Sequence, residues 1–447
     1  MLTYIGTECK HPHMPFPRSR TRVRALAAAA AVLTVLATAA ACSSSQSGTV
    51  KNSTLAVVAF NPFTGPDASF GPEMMAGCQP AARAINAAGG VLTDKIVCSS
   101  VDTRGDPADA VTGAAKMLAT TSNLFGVLGP SSDEADATAP LINAAKVPMF
   151  ADTGEASFDH TTLPYFWRML PADDVRSYAM ALYAHQKGYT RAAAVFGNDI
   201  GSQAGVPALL KGYSELGGEM VLNQKIALNQ ASYQPEVEQL IAAKPQVIFT
   251  ETSPQANATY LAELQQLGHL IPVIGTDVTI QPSWFTAMAG SIGKTAVSQY
   301  FVAESPYAAT SGAGWDAFNQ NLLASSASVP KPSQWSTDSY SMTDYDSVVV
   351  MALAATAAKS TTPSVYNKYI TAVTTPSSDA VVVHTYADGL TQLKAGKKID
   401  YAGASGVIDF NQWHNSGGGF EIAAYQTNGD LNLVDSISAA QLTPLIK

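Results

Sequence analysis

Short runs of β-branched and aliphatic residues alternate with Ala-rich amphipathic stretches from residue 55 onward. The alternation predicts strands over 55–60, 95–102, 124–128 and 147–151. Between them it predicts a helix ending at Asn86-Ala87-Ala88-Gly89-Gly90, and helices over 107–120 and 135–145. After Pro171 the pattern resumes with helices over 174–187, 205–216, 234–243 and 253–267, and strands over 191–196, 218–226, 247–250 and 272–275. Strands this apolar, separated by helices, imply parallel sheets covered on both faces. Two successive series imply two lobes.

Two stretches depart from the pattern. Pro80 falls inside the helix expected over 72–88 and removes an interior hydrogen bond, which predicts a kink or a restart there. Residues 310–338 are rich in Ser, Ala, Gly and Pro, yet Trp315, Phe318, Leu322 and Leu323 keep helical spacing, so a surface helix is expected within them.

The loops after the strands are the informative part. The first strand runs into Asn61-Pro62-Phe63-Thr64-Gly65-Pro66-Asp67-Ala68-Ser69-Phe70-Gly71, and Gly129-Pro130 runs into Ser131-Ser132-Asp133. Asp152 leads into Thr153-Gly154-Glu155, Phe196 into Gly197-Asn198-Asp199, and Thr250 into Glu251-Thr252-Ser253. Such residues are also ordinary helix caps and turn formers, and for any one loop that reading suffices. Their recurrence in both lobes points to a cleft at the carboxyl ends of parallel strands, where open α/β sheets bind ligands.

Charge narrows the partners. The chain has 447 residues, with 26 Lys and Arg against 35 Asp and Glu and 47 % apolar residues. That composition folds, and it offers no basic field for nucleic acid. Arg18, Arg20, Arg22 and Arg24 precede an uncharged Ala/Leu/Val run over 25–41, which has the form of an export signal. Met14 is a second candidate initiator. Ala39-Ala40-Ala41-Cys42 resembles a bacterial lipobox, although Ala39 stands where Leu is commonest, and the resemblance implies acylation of Cys42 and a cell-membrane lipoprotein. The Ser-rich stretch that follows is expected to be a polar tether. Removal of 1–41 takes away Lys10, the four arginines and Glu8, leaving 21 basic and 34 acidic groups, a net charge of −13.

Two cysteines then remain, Cys78 and Cys98. Export into an oxidising compartment favours a disulfide between them over two separate thiols, and a zinc site is weaker still because no further ligand lies nearby. His160, His185, His269, His384 and His414 have no metal spacing, and no Gly-x-Ser-x-Gly elbow occurs. Met288 to Thr295 ends like a phosphate loop but has Met where the first Gly belongs, and is expected to be a helix end. No metal and no cofactor are expected. An enzyme would have to build its acid and base from unlinked carboxylates such as Asp152, Glu155 and Glu251, so a binding function is preferred.

Several segments carry a family resemblance: Phe63-Thr64-Gly65-Pro66 with Phe70-Gly71, Ile85 to Val91, Gly129-Pro130-Ser131-Ser132, and Val147-Pro148. Tyr345-Asp346-Ser347 and Gly403-Ala404-Ser405-Gly406 before Ile408-Asp409-Phe410 extend it. In order and spacing, from Leu55 to Tyr425, the chain resembles a type I periplasmic binding protein of the leucine/isoleucine/valine-binding family. The resemblance implies two Rossmann-like lobes joined by three crossovers, near Leu170-Pro171, near 300–303 and near 401–406, with a ligand cleft between them. Residues 1–41 would then be the signal and 42–53 the lipid-anchored tether. One lobe would comprise 54–171 with 302–402, and the other 172–301 with 403–447. It further implies a monomeric receptor delivering a small molecule to an ABC permease, or alternatively serving as the sensor of a membrane kinase.

The ligand residues implied are Phe70, Ser131, Ser132, Thr153, Gly154 and Glu155 from one lobe, and Ile200, Gln255 and Asp277 from the other. Ser131 and Ser132 keep the family's carboxylate-binding loop and Phe70 its aromatic wall. Three positions depart: Glu155 replaces a Thr, Ile200 a Tyr, and Gln255 the acid that holds an α-ammonium. The departures predict a ligand other than a simple branched-chain amino acid, such as a polar or partly aromatic metabolite, an amide, or a cation balanced by Glu155.

Overall fold

The fold is taken from a computed structural model that describes residues 53–306, 310–416, 418–442 and 444–445. The expected signal over 1–41, Cys42 and the tether up to residue 52 lie outside the described residues. Fifteen strands build the described part. β1 (Thr54–Asn61), β2 (Lys95–Asp102), β3 (Leu124–Ser131), β4 (Met149–Asp152) and β5 (Phe166–Trp167) form one parallel sheet in the order β2-β1-β3-β4-β5.

The second sheet holds β6 (Arg191–Gly197), β7 (Glu219–Ile226), β8 (Val247–Glu251), β9 (Val273–Gly275) and β10 (Phe301–Pro306). β11 (Ala380–Val383), β12 (Lys398–Gly403) and β13 (Gly406–Val407) form a small separate sheet. β14 (Phe420–Tyr425) and β15 (Leu431–Ile437) complete the second sheet on its β10 edge, in the order β15-β14-β10-β9-β8-β6-β7. It is parallel from β10 to β7, and β14 and β15 run antiparallel.

Alternate residues of each central strand feed two cores. Leu55, Val57 and Ala59 face one apolar cluster while Val58 and Phe60 face another. Ala193 and Val195 divide from Ala192, Ala194 and Phe196 in the same way. The period of two thus puts a helical layer on both faces of each sheet. The Ser339–Ala358 helix lies deepest, buried without a break from Ser339 to Thr356. It packs on the Phe70–Ala87 helix, where a Cβ on Gly77 would collide with Asp344 and the Ser341 carbonyl.

That Phe70–Ala87 helix runs through Pro80 as a single element, so no restart occurs there. Burial of Pro80 and its neighbours offsets the missing hydrogen bond. The helix expected within 310–338 is Ala313–Leu323, with Phe318 and Leu322 buried and Leu323 exposed.

The crossovers differ from their sequence positions. β10 pairs with β9 as far as Ala303 and with β14 as far as Pro306, so 302–306 belong to the second sheet, not the first lobe. Ala404, Ile408 and Phe410 pack in the first core, so the chain leaves that lobe after Phe410 rather than at 403. Turn chemistry near Tyr300 and Gly403 marks bends, whereas strand pairing sets where a lobe ends. The segments around Arg168 and Asn415 run side by side, with Arg168 N–H donating to the His414 carbonyl (3.0 Å) and Ser416 N–H to the Arg168 carbonyl (2.8 Å).

Cys78, on the Phe70–Ala87 helix, is bonded to Cys98 of β2, with Cα atoms 6.1 Å apart. The bridge closes a sequence separation of 20, and a loop of that size stabilises by about 3 kcal/mol in the loop-entropy account. Mass spectrometry of the unreduced protein should find no free thiol at either position. The Cys78→Ser and Cys98→Ser double variant should lose about 3 kcal/mol in chemical denaturation, and an unchanged midpoint would refute the contribution.

Candidate functional site

The carboxyl ends of β1, β3, β4, β6 and β8 converge on one cleft between the sheets. The loop after β1 is fixed by Asp102, whose carboxylate accepts from Phe63 N–H (2.9 Å), Thr64 N–H (3.2 Å) and the Thr64 hydroxyl (2.7 Å). This holds Asp67 and Phe70 at the cleft. Phe70 meets Tyr340 edge to face, ring centres 6.2 Å apart, and the pair forms an aromatic wall. Ser131 stands at the head of the helix Ser132–Ala144 without capping it through its side chain, and the Ser132 hydroxyl donates to Thr153 Oγ1 (3.1 Å), which also accepts from Glu155 N–H (3.2 Å). Gly154 lets the two lobes approach. Its carbonyl accepts from Asp173 N–H (2.6 Å), and a Cβ there would collide with the Asp173 carboxylate.

From the second lobe, Asp199 caps its helix by accepting from Ser202 N–H (2.7 Å), leaving its other oxygen without a partner. Asp133 reaches across from the first lobe to accept from Gly201 N–H (2.9 Å). The cavity enclosed measures about 50 Å³, with Asp67, Asp133, Asp152, Asp173, Asp199 and Glu251 on its walls.

Arg176 is the cationic side chain among the lining residues, and it is already engaged. Asp173 lies 2.6 Å from it, Asp277 is in direct contact, and Glu304 and Glu251 follow at 3.5 and 3.6 Å. Asp277 also accepts from the Tyr340 hydroxyl (2.8 Å), which links this cluster to the first lobe. Gln281 Nε2 donates to Glu73 (2.8 Å), a further polar link between the lobes.

Burial in so acidic a site favours protonated carboxyls. Loss of solvent, then repulsion from Asp133, Asp199 and Glu251, holds Asp67 well above the ordinary range. Asp133 is pushed up to about 6 by burial, against the Gly201 N–H, and Glu251 to about 8 by burial, against Arg176. Burial also raises Glu134, behind the cleft, to about 7.

Phe70, Ser131, Ser132 and Gly154 line this cavity, and Thr153 stands behind Ser132 and braces it. Glu155 and Ile200 instead line an adjoining opening of about 380 Å³. There Glu155 accepts from Ser157 (3.3 Å), and burial, then Asp136, raises its pKa to about 8. Asp277 is buried behind Arg176 and orients it. Gln255 does not reach the site: it is exposed and donates to Thr259 one helical turn on (3.2 Å). The acid facing the cavity from that segment is Glu251, the last residue of β8, because side chains at a parallel strand's end point into the cleft whereas the following helix turns away.

Sequence reasoning missed Asp67, Asp133, Asp173, Arg176, Asp199 and Tyr340 as site residues. Asp67, Asp133 and Asp199 sit in the very strand-end loops it singled out, so the rule of strand ends could have found them. Arg176 and Tyr340 reach the cleft from helices, and nothing in their local sequence marks them.

A family model for periplasmic binding proteins matches residues 54–406. The Leu/Ile/Val-binding protein BraC3 of Rhizobium johnstonii is 25 % identical over 228 residues, 50 % of this chain and 61 % of that protein. The chain spans less than two thirds of the length of the curated relatives it matches. Among solved structures, LivJ of Streptococcus pneumoniae, a branched-chain amino acid transporter substrate binding protein in complex with isoleucine, aligns at a TM-score of 0.69 and 17 % identity, over 87 % of this chain and 99 % of that one. An ABC transporter solute binding protein of R. palustris in complex with 4-hydroxybenzoate aligns at 0.68 and 17 %, over 86 % and 97 %. At these identities the two likenesses are of fold.

The raised carboxyls fix the sign of a pH effect. Asp133, Glu134, Glu155 and Glu251 hold protons in the folded chain that the unfolded chain releases near pH 4. Their contribution favours folding at low pH and is lost as pH rises to about 8. The melting temperature of the ligand-free protein should therefore fall from pH 5 to pH 8, less steeply in Glu251→Gln. A melting temperature that climbs over this range would show that these carboxyls are not raised.

Proposed function

Because this chain belongs to the periplasmic binding protein family, we propose that it is an extracytoplasmic receptor closing its lobes over one small ligand that carries a protonated nitrogen, an amine or a guanidinium. The family is one of binding proteins rather than enzymes. Delivery would be to an ABC permease, and the export signal with Cys42 supports attachment to the membrane as a lipoprotein.

The ligand class rests on one observation. Asp67, Asp133 and Asp199 share a small cavity whose only lining cation, Arg176, is committed to Asp173 and Asp277. A cationic ligand would supply the missing charge, and the Phe70 and Tyr340 rings offer faces suited to it. A simple amino acid would bring a carboxylate beside Ser131 and Ser132 but also toward these three acids. The related structures, one with isoleucine and one with 4-hydroxybenzoate, support a fold that does not dictate its ligand.

Calorimetry with a panel of amines and guanidinium compounds, set against leucine, isoleucine and valine, tests this. A cation should bind, and Asp133→Asn should weaken it about 10- to 100-fold, the range expected for one charge-assisted contact. Affinity should also drop as pH falls below about 6, where Asp133 takes up a proton. Micromolar binding of leucine, isoleucine or valine with no cation bound would overturn the assignment. The anchor is tested separately: a fatty-acid label should enter the wild-type protein and not Cys42→Ser, and equal labelling of both would exclude Cys42 as the attachment point.

A further inference from the structure

The end of the first lobe remote from the cleft carries a second depression. Parallel strands start there, one β1 length, about 25 Å, from the cleft. The carboxyl ends of three helices meet at this end: Phe70–Ala87, Ser339–Ala358 and Tyr386–Lys394. The groove between them measures about 560 Å³. Ala88, Leu92, Ala357, Leu390 and Leu393 give it an apolar floor, and Lys359, Lys394 and Lys397 its rim. The Tyr386 hydroxyl donates to the Gly90 carbonyl (2.9 Å), pinning one wall to another.

Lys359 and Lys394 stand at helix carboxyl ends, where a cation complements the helix dipole, but that role needs no carboxylate partner and Lys397 does not share it. All three are exposed, no carboxylate lines the groove, and among the described residues none of them is in an ion pair. The neighbouring Lys398, in contrast, is paired with Asp379 at 2.7 Å. Helix ends often recruit lysines as caps, but here backbone N–H groups already do that work. Gly90 donates to Ile85, Ser360 to Ala355, Gly396 to Leu393 and Lys397 to Gln392, all at 2.9–3.1 Å. Three unpaired cations over an apolar floor reverse the sign of a chain that is otherwise strongly acidic.

Where the chain enters the fold adds the second observation. Ser53 N–H donates to the Asp94 carboxylate (3.0 Å), in the turn that supplies Leu92 and Thr93 to the groove. Residues 43–52 separate Cys42 from Ser53, a span of at most about 40 Å when fully extended. A chain held at Cys42 is thus tethered through its groove-bearing end, the end remote from the cleft.

We propose that this groove docks on the membrane that anchors the protein, taking the headgroup of an anionic phospholipid with its phosphate among Lys359, Lys394 and Lys397 and its glycerol on Leu92, Leu390 and Leu393. The orientation rests on the lipoprotein reading; the affinity of the groove does not. The net negative charge of the whole chain does not forbid the contact, because charges more than about 8 Å from the surface are screened at physiological salt.

The test uses the chain from Ser43 onward, which has no anchor and retains the whole compact unit Lys51–Lys447. It should sediment with vesicles of mixed phosphatidylglycerol and phosphatidylcholine and not with phosphatidylcholine alone, and added salt should release it. The K359E/K394E/K397E variant should bind the mixed vesicles more than about a hundred-fold more weakly, since loss of each lysine charge alone costs about fivefold. An unchanged melting temperature will show that the variant is folded, and the corresponding Gln variant should lose less. Equal sedimentation with both vesicle types, or equal binding by wild type and variant, overturns the proposal. So does binding of free glycerol phosphate as tight as that of vesicles, which would make the groove a site for a soluble phosphate ester. Failure of the fatty-acid label at Cys42 would leave this assay untouched, so the two readings fail independently.

Discussion

A single buried guanidinium organises the second lobe. Arg176 gathers Asp173 from its own helix, Glu251 from the end of β8, Asp277 from the loop after β9 and Glu304 from β10. Removing that many charges from water is costly, and the attraction to one cation offsets it only in part. The rest of the cost is met by protonation, which is why Glu251 is raised to about 8 despite its neighbour. Through Asp277 and the Tyr340 hydroxyl the same cluster reaches the first lobe, so one guanidinium also ties the two walls of the cleft together.

The first lobe solves a similar problem differently. Asp346 is fully buried on the Ser339–Ala358 helix, yet it accepts from the Tyr401 hydroxyl, the Ala404 and Ser405 N–H groups and the Ser405 hydroxyl, at 2.6–3.0 Å. Four donors replace water there, and the carboxylate in return fixes the corner between β12 and β13. Nearly two turns earlier on that helix, Tyr340 lines the cleft. The amino-terminal half of one helix therefore both braces the lobe and finishes the aromatic wall.

Much of this was legible in the sequence, and the reason is periodicity. Strands such as 55–60 and 191–196 announce both buried faces, and the helices between them leave few ways to arrange parallel sheets. Loops at strand ends read as cleft walls, and Phe70, Ser131, Ser132 and Gly154 from them line one cavity. What escaped was anything set by pairing or by distance in space. β10 continues to Pro306 because β14, more than a hundred residues on, completes its hydrogen bonds. Gln255 was chosen over Glu251 because linear matching cannot tell the last strand residue from the first turn of the following helix. Arg176 could not be chosen at all, since its partners come from three other elements.

The bridge between Cys78 and Cys98 guards an edge. Among the described residues β2 is the outermost strand of its sheet and pairs only with β1, which leaves the other side of its backbone unpaired there, and Val97 is 47 % exposed beside Cys98. A bare edge of this kind is a template for pairing with another chain. The covalent tie to a helix packed in the core keeps that strand from peeling away and seeding aggregates. Because the tie can close only where thiols are oxidised, the protection depends on the compartment: the same margin is loose where thiols stay reduced and sealed where they do not.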